Sequence, residues 1–346
     1  MWYQPLIESG RVPDAVLRLG IRRLLAERLE SERRGDVEVQ CESLLGFVEK
    51  LRASPVAVNT REANSQHYEV PPEFFQAVLG PHLKLSSGYF ASGGEGGAGG
   101  DGADLAQAEE RMLAVTCQRA RVADGQRILE LGCGWGSLSL WIASHHPGTQ
   151  VVAVVASPRQ RDLVESRAGA RRLANLEVVC ADPDDFVPQG RFDRIIAVES
   201  LAARRAWDGL LRRAPAWLRP DGFVFLDACT PSLTPTSRFE AEATRRAFAD
   251  GSLRWVDWLK RRDLPFSVED REVVDGTHAA RTAGAWLRNL DARAEMIEDS
   301  LARDVGREAA RVQIAGWRLL FVTRAELFGW NQGRERLMVH LLLRAR

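Results

Sequence analysis

Ile128-Leu129-Glu130-Leu131-Gly132-Cys133-Gly134-Trp135-Gly136 is the stretch on which the fold turns. An apolar strand ends at an acid, then passes through three alternating glycines into Ser137-Leu138-Ser139-Leu140, a helical start. Glycine accepts the left-handed backbone that such a turn requires and lets a ligand lie close against the chain. Nucleotide-like binding is the chemistry this turn suits. A dinucleotide fingerprint would place its third glycine three positions after the second, where Ser137 stands. No acid ends the next strand at Val154-Val155-Ala156 to hold a ribose, so the spacing argues against NAD.

Working outward, short apolar runs alternate with helical stretches, the pattern of a parallel sheet covered on both faces. Strands are expected at 127–131, 150–155, 176–180, 192–198 and 222–227, with helices at 137–145, 158–173 and 207–218. Right-handed crossovers then build an open, doubly wound α/β sheet whose ligands sit beyond the carboxyl ends of the strands. Ser157 and Gln160 follow the second strand, and Asp182-Pro183-Asp184-Asp185-Phe186 follows the third, positions suited to ribose and adenine contacts. A solvated loop is the plainer reading of Asp184 and Asp185.

On the amino-terminal side, Leu17, Ile21, Leu24 and Leu25, then Leu44, Leu45, Val48 and Leu51, recur at helical spacing, so residues 12–55 read as helices. Seven glycines between Ala91 and Gly102 mark a linker or surface loop at 91–103. The organisation expected is a helical cap over 1–90, this linker, and a main domain over 104–346. From Thr230 to about Thr282 the rhythm breaks, with Pro231 and Pro235 ahead of a Trp-bearing charged stretch, the place for a helical insertion or lid. Trp255, Trp258 and Phe266 would cover an apolar substrate there, although packing onto the domain is commoner for such residues. Helices return near 283–301 and 307–323, and 337–343 is a final apolar strand.

Lys+Arg and Asp+Glu balance at 47 each over 346 residues, which gives no electrostatic reason to expect nucleic acid or an anionic membrane as partner. Five scattered cysteines without a C-x-x-C pair suit a reduced, cytoplasmic protein and suggest neither disulfides nor a metal site. No run of about 18 apolar residues offers a transmembrane segment.

The spacing E-x-G-x-G-x-G resembles motif I of the methyltransferases, in which the loop passes under the methionine part of S-adenosylmethionine. With Gln66-His67-Tyr68-Glu69-Val70-Pro71-Pro72-Glu73-Phe74-Phe75, Leu79-Gly80-Pro81-His82-Leu83-Lys84 and Ala325-Glu326-Leu327-Phe328-Gly329-Trp330, the chain resembles the cyclopropane-fatty-acid synthase superfamily in its coclaurine N-methyltransferase-like branch. The resemblance implies a Rossmann-like class I methyltransferase sheet, an amino-terminal segment folding over the cofactor, and methyl transfer to a small amine or an alkene. The cofactor-binding set expected from turn and resemblance together is Tyr68, Ser86, Glu130, Gly132, Cys133, Gly134, Gly136, Ser157, Gln160, Asp182 and Pro183.

The same resemblance exposes departures. Ser87 stands where relatives carry a cysteine, Val198-Glu199-Ser200-Leu201-Ala202-Ala203 replaces a V-E-M-F-E-H stretch, Leu226-Asp227-Ala228-Cys229-Thr230 lacks a histidine pair, and Ala279 follows His278 in place of tyrosine. Two readings follow. One is an atypical methyltransferase assisted by Glu199, Asp227 or His278; for the last two, a hydrogen-bonded histidine and a loop-orienting strand end are the structural alternatives. The other is a repurposed cofactor-binding protein, a pseudoenzyme in which Ala202, Ala203, Leu226 and Ala279 enlarge one apolar pocket for a ligand or partner. A homodimer, or association with a paralogue, is compatible with either.

Overall fold

Val- and Ile-rich runs become buried parallel strands because both of their faces must be covered. β1 (Arg127–Leu131), β2 (Gln150–Val155), β3 (Leu176–Cys180), β4 (Phe192–Val198) and β5 (Leu218–Pro231) pair in parallel, and β7 (Arg336–Ala345) runs antiparallel between β5 and β6 (Phe266–Asp275). The order is β3-β2-β1-β4-β5-β7-β6. A computed structural model describes residues 12–32, 70–91, 101–182, 186–199, 204–231 and 264–346. The order reverses between β1 and β4, which opens a crevice at the carboxyl ends of the strands, where the glycine turn lies.

Side chains alternate across the sheet and separate two cores. Leu129, Leu131, Val224 and Leu226 pack with Leu211, Ala214 and Trp217 of α6 (Arg204–Trp217). On the opposite face, Ile128, Ile196, Phe225 and Leu342 meet Leu113 and Cys117 of α3 (Asp101–Arg119) and Leu138 and Trp141 of α4 (Ser137–His145). α5 (Pro158–Ala170) seals α4 through Val164 and Leu140. A third core joins Phe74 and Phe75 of α2 (Pro72–Val78) to Trp286 of α7 (Gly276–Ala292), Leu301 of α8 (Ala294–Val305) and Trp317 and Phe321 of α9 (Arg307–Gly329). Leu17 and Ile21 of α1 (Asp14–Glu32) lie against it, and Arg18 and Arg22 each reach Glu326 at 2.5 Å.

Several boundaries differ from the sequence reading. The expected break to about Thr282 gives way earlier, because 266–275 is an edge strand and α7 starts at Gly276. β6 buries only Phe266 and Val274 within a charged stretch, and an edge strand needs little apolar surface and is protected by charge. Phe266 packs in the core instead of forming a lid. α3 already begins at Asp101, inside the glycine-rich range. The expected helix at 283–301 is two helices, interrupted at Arg293. Residues 33–55 of the expected helical cap, and Trp255 and Trp258, lie outside the described residues.

Candidate functional site

Gly132, Gly134 and Gly136 have φ of 74°, 54° and 76°, all in the left-handed region. The N–H groups of Gly132 and Cys133 donate to the Val154 carbonyl at 2.9 and 3.0 Å, tying the turn to β2. A β-carbon built at Gly134 would meet nothing within 4 Å, whereas one at Gly136 would lie 2.8 Å from Val164. Gly134 therefore leaves room for a ligand, and Gly136 lets α4 close on α5. Glu130 is buried and accepts the Ser139 hydroxyl across the turn. Burial pushes its carboxyl up to about 7, against the Ser139 hydrogen bonds and the Lys84 charge. It thus braces the strand-to-helix turn. Burial also raises the Cys133 thiol well above its usual range.

Ser157 immediately precedes α5 without a capping side-chain hydrogen bond and Gln160 lies in its first turn, both buried, while Asp182 stands exposed past β3. All three share the carboxyl edge with the glycine turn. Tyr68 and Pro183 lie outside the described residues, as do Asp184, Asp185, Ala202 and Ala203.

Residues 83–91 form a strap without regular structure whose backbone donors must be satisfied from elsewhere. Ser87 N–H donates to Glu199 Oε1 at 2.9 Å, Gly88 N–H to Thr282 Oγ1 at 3.0 Å, Tyr89 N–H to the Ala108 carbonyl at 2.8 Å, and Phe90 N–H to His278 Nδ1 at 2.9 Å. The His278 ring stacks on Tyr89, its Nε2 lies 3.7 Å from Asp275, and burial lowers its pKa. Glu199 is held at φ 45°, with its N–H on the Asp227 carbonyl and its Oε2 accepting from Arg324 at 2.8 Å. Glu199 and His278, both expected near substrate, spend these acceptors on the strap and on α9.

Asp227 differs. The row Glu130, Ile196, Phe225 runs across β1, β4 and β5, and Asp227 stands two residues beyond it, level with the start of the glycine turn. It is fully buried, and neither carboxylate oxygen has a hydrogen-bond partner. His340 Nε2 faces Oδ2 at 3.6 Å, too long for a hydrogen bond. Burial pushes the Asp227 carboxyl up, but His340, Lys84 and Arg324 outweigh it and hold it below its usual range. Lys84, on the strap, donates to Ser86 Oγ and to the Ser87 carbonyl at 2.8 Å. Burial lowers its pKa, opposed by Asp227, Glu199 and Glu109.

The profile of the family described as mycolic acid cyclopropane synthetase matches residues 57–313. The chain belongs to this family. It is 30% identical to the (S)-coclaurine N-methyltransferase of Thalictrum flavum subsp. glaucum over 98% of this chain and 94% of that protein. The (S)-coclaurine N-methyltransferase of Papaver somniferum is 29% identical over 98% and 96%. A crystal structure of coclaurine N-methyltransferase, bound to N-methylheliamine and SAH, superposes with a TM-score of 0.88 at 30% identity, covering 98% of this chain and 97% of that one. The expected class I methyltransferase sheet is the fold observed, and this member of the cyclopropane synthetase family falls in the coclaurine N-methyltransferase-like branch. Its class is that of the S-adenosylmethionine-dependent methyltransferases.

One expectation about this family member is corrected. Leu226 and Ala279 do not share a pocket: Leu226 packs under the sheet with Val339 and Leu341, and Ala279 packs with Met112, Phe328 and Met338. Strand alternation sends Leu226 to the face opposite Asp227. The sequence reading also passed over Arg324, His340 and Arg119. Arg324 falls on the helical stripe of Trp317, Phe321 and Phe328, and His340 interrupts an apolar strand; each is a polar residue at a buried position. Among the described residues no helix is long and apolar enough to cross a membrane.

Proposed function

We propose that the protein transfers a methyl group from S-adenosylmethionine to the nitrogen of a small amine, with Asp227 as the carboxylate that meets the charge on that nitrogen. The observation that carries this reading is the fully buried Asp227 at the level of the glycine turn, with neither oxygen in a hydrogen bond while Glu199 and His278 are engaged. The glycine turn fits the cofactor, since a β-carbon at Gly134 would enter open space. Gly132, Gly134 and Gly136 would hold it with Glu130 bracing and Cys133 lining the turn, together with Ser86, Ser157, Gln160 and Asp182, and with Tyr68 and Pro183.

When bound, S-adenosylmethionine supplies a sulfonium methyl: the N–C bond forms as the C–S bond breaks with its electron pair left on sulfur, and positive charge passes to nitrogen. Asp227, ionised through His340, Lys84 and Arg324, stabilises that charge in a site shielded from water. The strap, fixed by Glu199, Thr282 and His278, sets the distance between acceptor and methyl. The names of the relatives support an amine acceptor. The pseudoenzyme alternative drew on a shared Leu226 and Ala279 pocket, and their separation removes that support. The scattered cysteines, four of which lie outside any disulfide among the described residues, fit a cytoplasmic location.

Incubating the purified protein with S-adenosylmethionine and a panel of secondary and tertiary amines, with mass spectrometry of both products, tests the reading. N-methylated amine and S-adenosylhomocysteine are expected in equal amounts. Asp227→Asn is expected to lower kcat/KM by roughly a hundredfold while cofactor affinity persists. No turnover with any amine overturns the reading.

A further inference from the structure

The antiparallel register of β5, β7 and β6 sets Asp227, His340 and Glu272 opposite one another in one row. α3 covers this face and ends at Arg119, directly over the row. Arg119 Nη1 lies 2.8 Å from His340 Nδ1, and Nη2 lies 3.7 Å from Glu272 Oε2. A guanidinium can only donate, so Nδ1 accepts and the imidazole carries its single proton on Nε2. That nitrogen faces Asp227 Oδ2 at 3.6 Å. Phe225 packs edge-on to the ring at 5.3 Å and fixes its plane.

We propose that Arg119 and His340 are positioning residues for Asp227: the guanidinium locks the imidazole in the tautomer whose Nε2–H faces the carboxylate, so that Asp227 meets the substrate as an anion. In the other tautomer a bare nitrogen lone pair would face the carboxylate, and a fully buried carboxylate opposite an acceptor is driven to take up a proton. The remaining charged groups turned toward Asp227 come from three elements. Lys84 on the strap and Arg324 on α9 favour the anion, and Glu199 after β4 is occupied by Ser87 and Arg324. Glu272, at the partly exposed edge strand, holds the far side of Arg119 and orients its fork toward His340. This assignment rests on the reading of Asp227 under Proposed function.

The test compares pH profiles of kcat/KM for the full-length enzyme and the variants His340→Leu, His340→Gln and Arg119→Leu. In His340→Leu the acid limb is expected to move upward by about one pH unit or more, since burial then acts without the facing N–H. His340→Gln retains an amide N–H and returns the limb toward its original position; Arg119→Leu shifts it upward by a smaller amount. An unmoved acid limb in folded His340→Leu and Arg119→Leu proteins overturns the proposal. Isotope-edited infrared titration of the aspartate carboxyls in the complex with S-adenosylhomocysteine, assigned by subtraction of Asp227→Asn, reads the ionisation directly. If Asp227→Asn retains full activity, the reading of Asp227 as the charge partner fails. The infrared shift between wild type and His340→Leu still decides the positioning role, and an unchanged band position sinks it.

Discussion

Gly134 and Gly136 share a left-handed backbone but differ in their surroundings, so their alanine variants should fail in different ways. Either substitution strains the backbone by about 1 kcal/mol. Gly136→Ala also drives a methyl against Val164, and a clear loss of thermal stability is expected by calorimetry. Gly134→Ala places its methyl in open space, so the main expected loss is in S-adenosylhomocysteine affinity by titration calorimetry. Glu130 adds a pH prediction. Its carboxyl keeps a proton to about 7 in the folded protein, while the unfolded chain releases it near 4.5. The unfolded state is therefore favoured as pH rises between these values, by up to about 3 kcal/mol. Glu130→Gln, which can still accept from Ser139, is expected to flatten that decline in urea-denaturation curves collected from pH 4.5 to 7. The glycines were legible because their spacing is local. His340 and Arg324 were not, because what singles them out is the neighbour they meet across a strand or helix.

At the scale of elements, the strap shows how a segment without regular hydrogen bonding is held. Four successive N–H groups from Ser87 to Phe90 find acceptors on three other segments, α3, α7 and the turn after β4. Thr282→Val removes one acceptor and leaves the Gly88 N–H buried and unpaired, a cost of about 1–3 kcal/mol. An increase of roughly tenfold in KM for S-adenosylmethionine is the expected outcome in steady-state assays, with kcat at saturation nearly preserved. If KM is unchanged, the strap does not govern cofactor binding. The central strands were legible from apolar runs, since a parallel strand buried on both faces leaves little else to choose. β6 was hidden by its charges. An edge strand takes its place from pairing with β7, and composition alone does not reveal a partner 60 or more residues away.

For the whole molecule, α1 is joined to the main body by polar as well as apolar contacts. Glu326 accepts from Arg18 and Arg22, and Arg318 reaches both Asp14 and Asp291. Burial pushes the Glu326 carboxyl up, but the two arginines outweigh it and hold it below its usual range. Because both arginines are partly exposed, Glu326→Ala is expected to cost only about 1 kcal/mol. Faster cleavage within α1 by an arginine-specific protease is the sharper readout. The sequence by itself determined the α/β class, the glycine turn and the family, because each is written in residues close together along the chain. Only the tertiary structure decided which of Glu199, Asp227 and His278 keeps unspent acceptors, because that depends on the strap, α7, α9 and β7 converging from distant parts of the chain. The physical reason is that a buried polar group is defined by what satisfies it, and satisfaction belongs to space and not to sequence order.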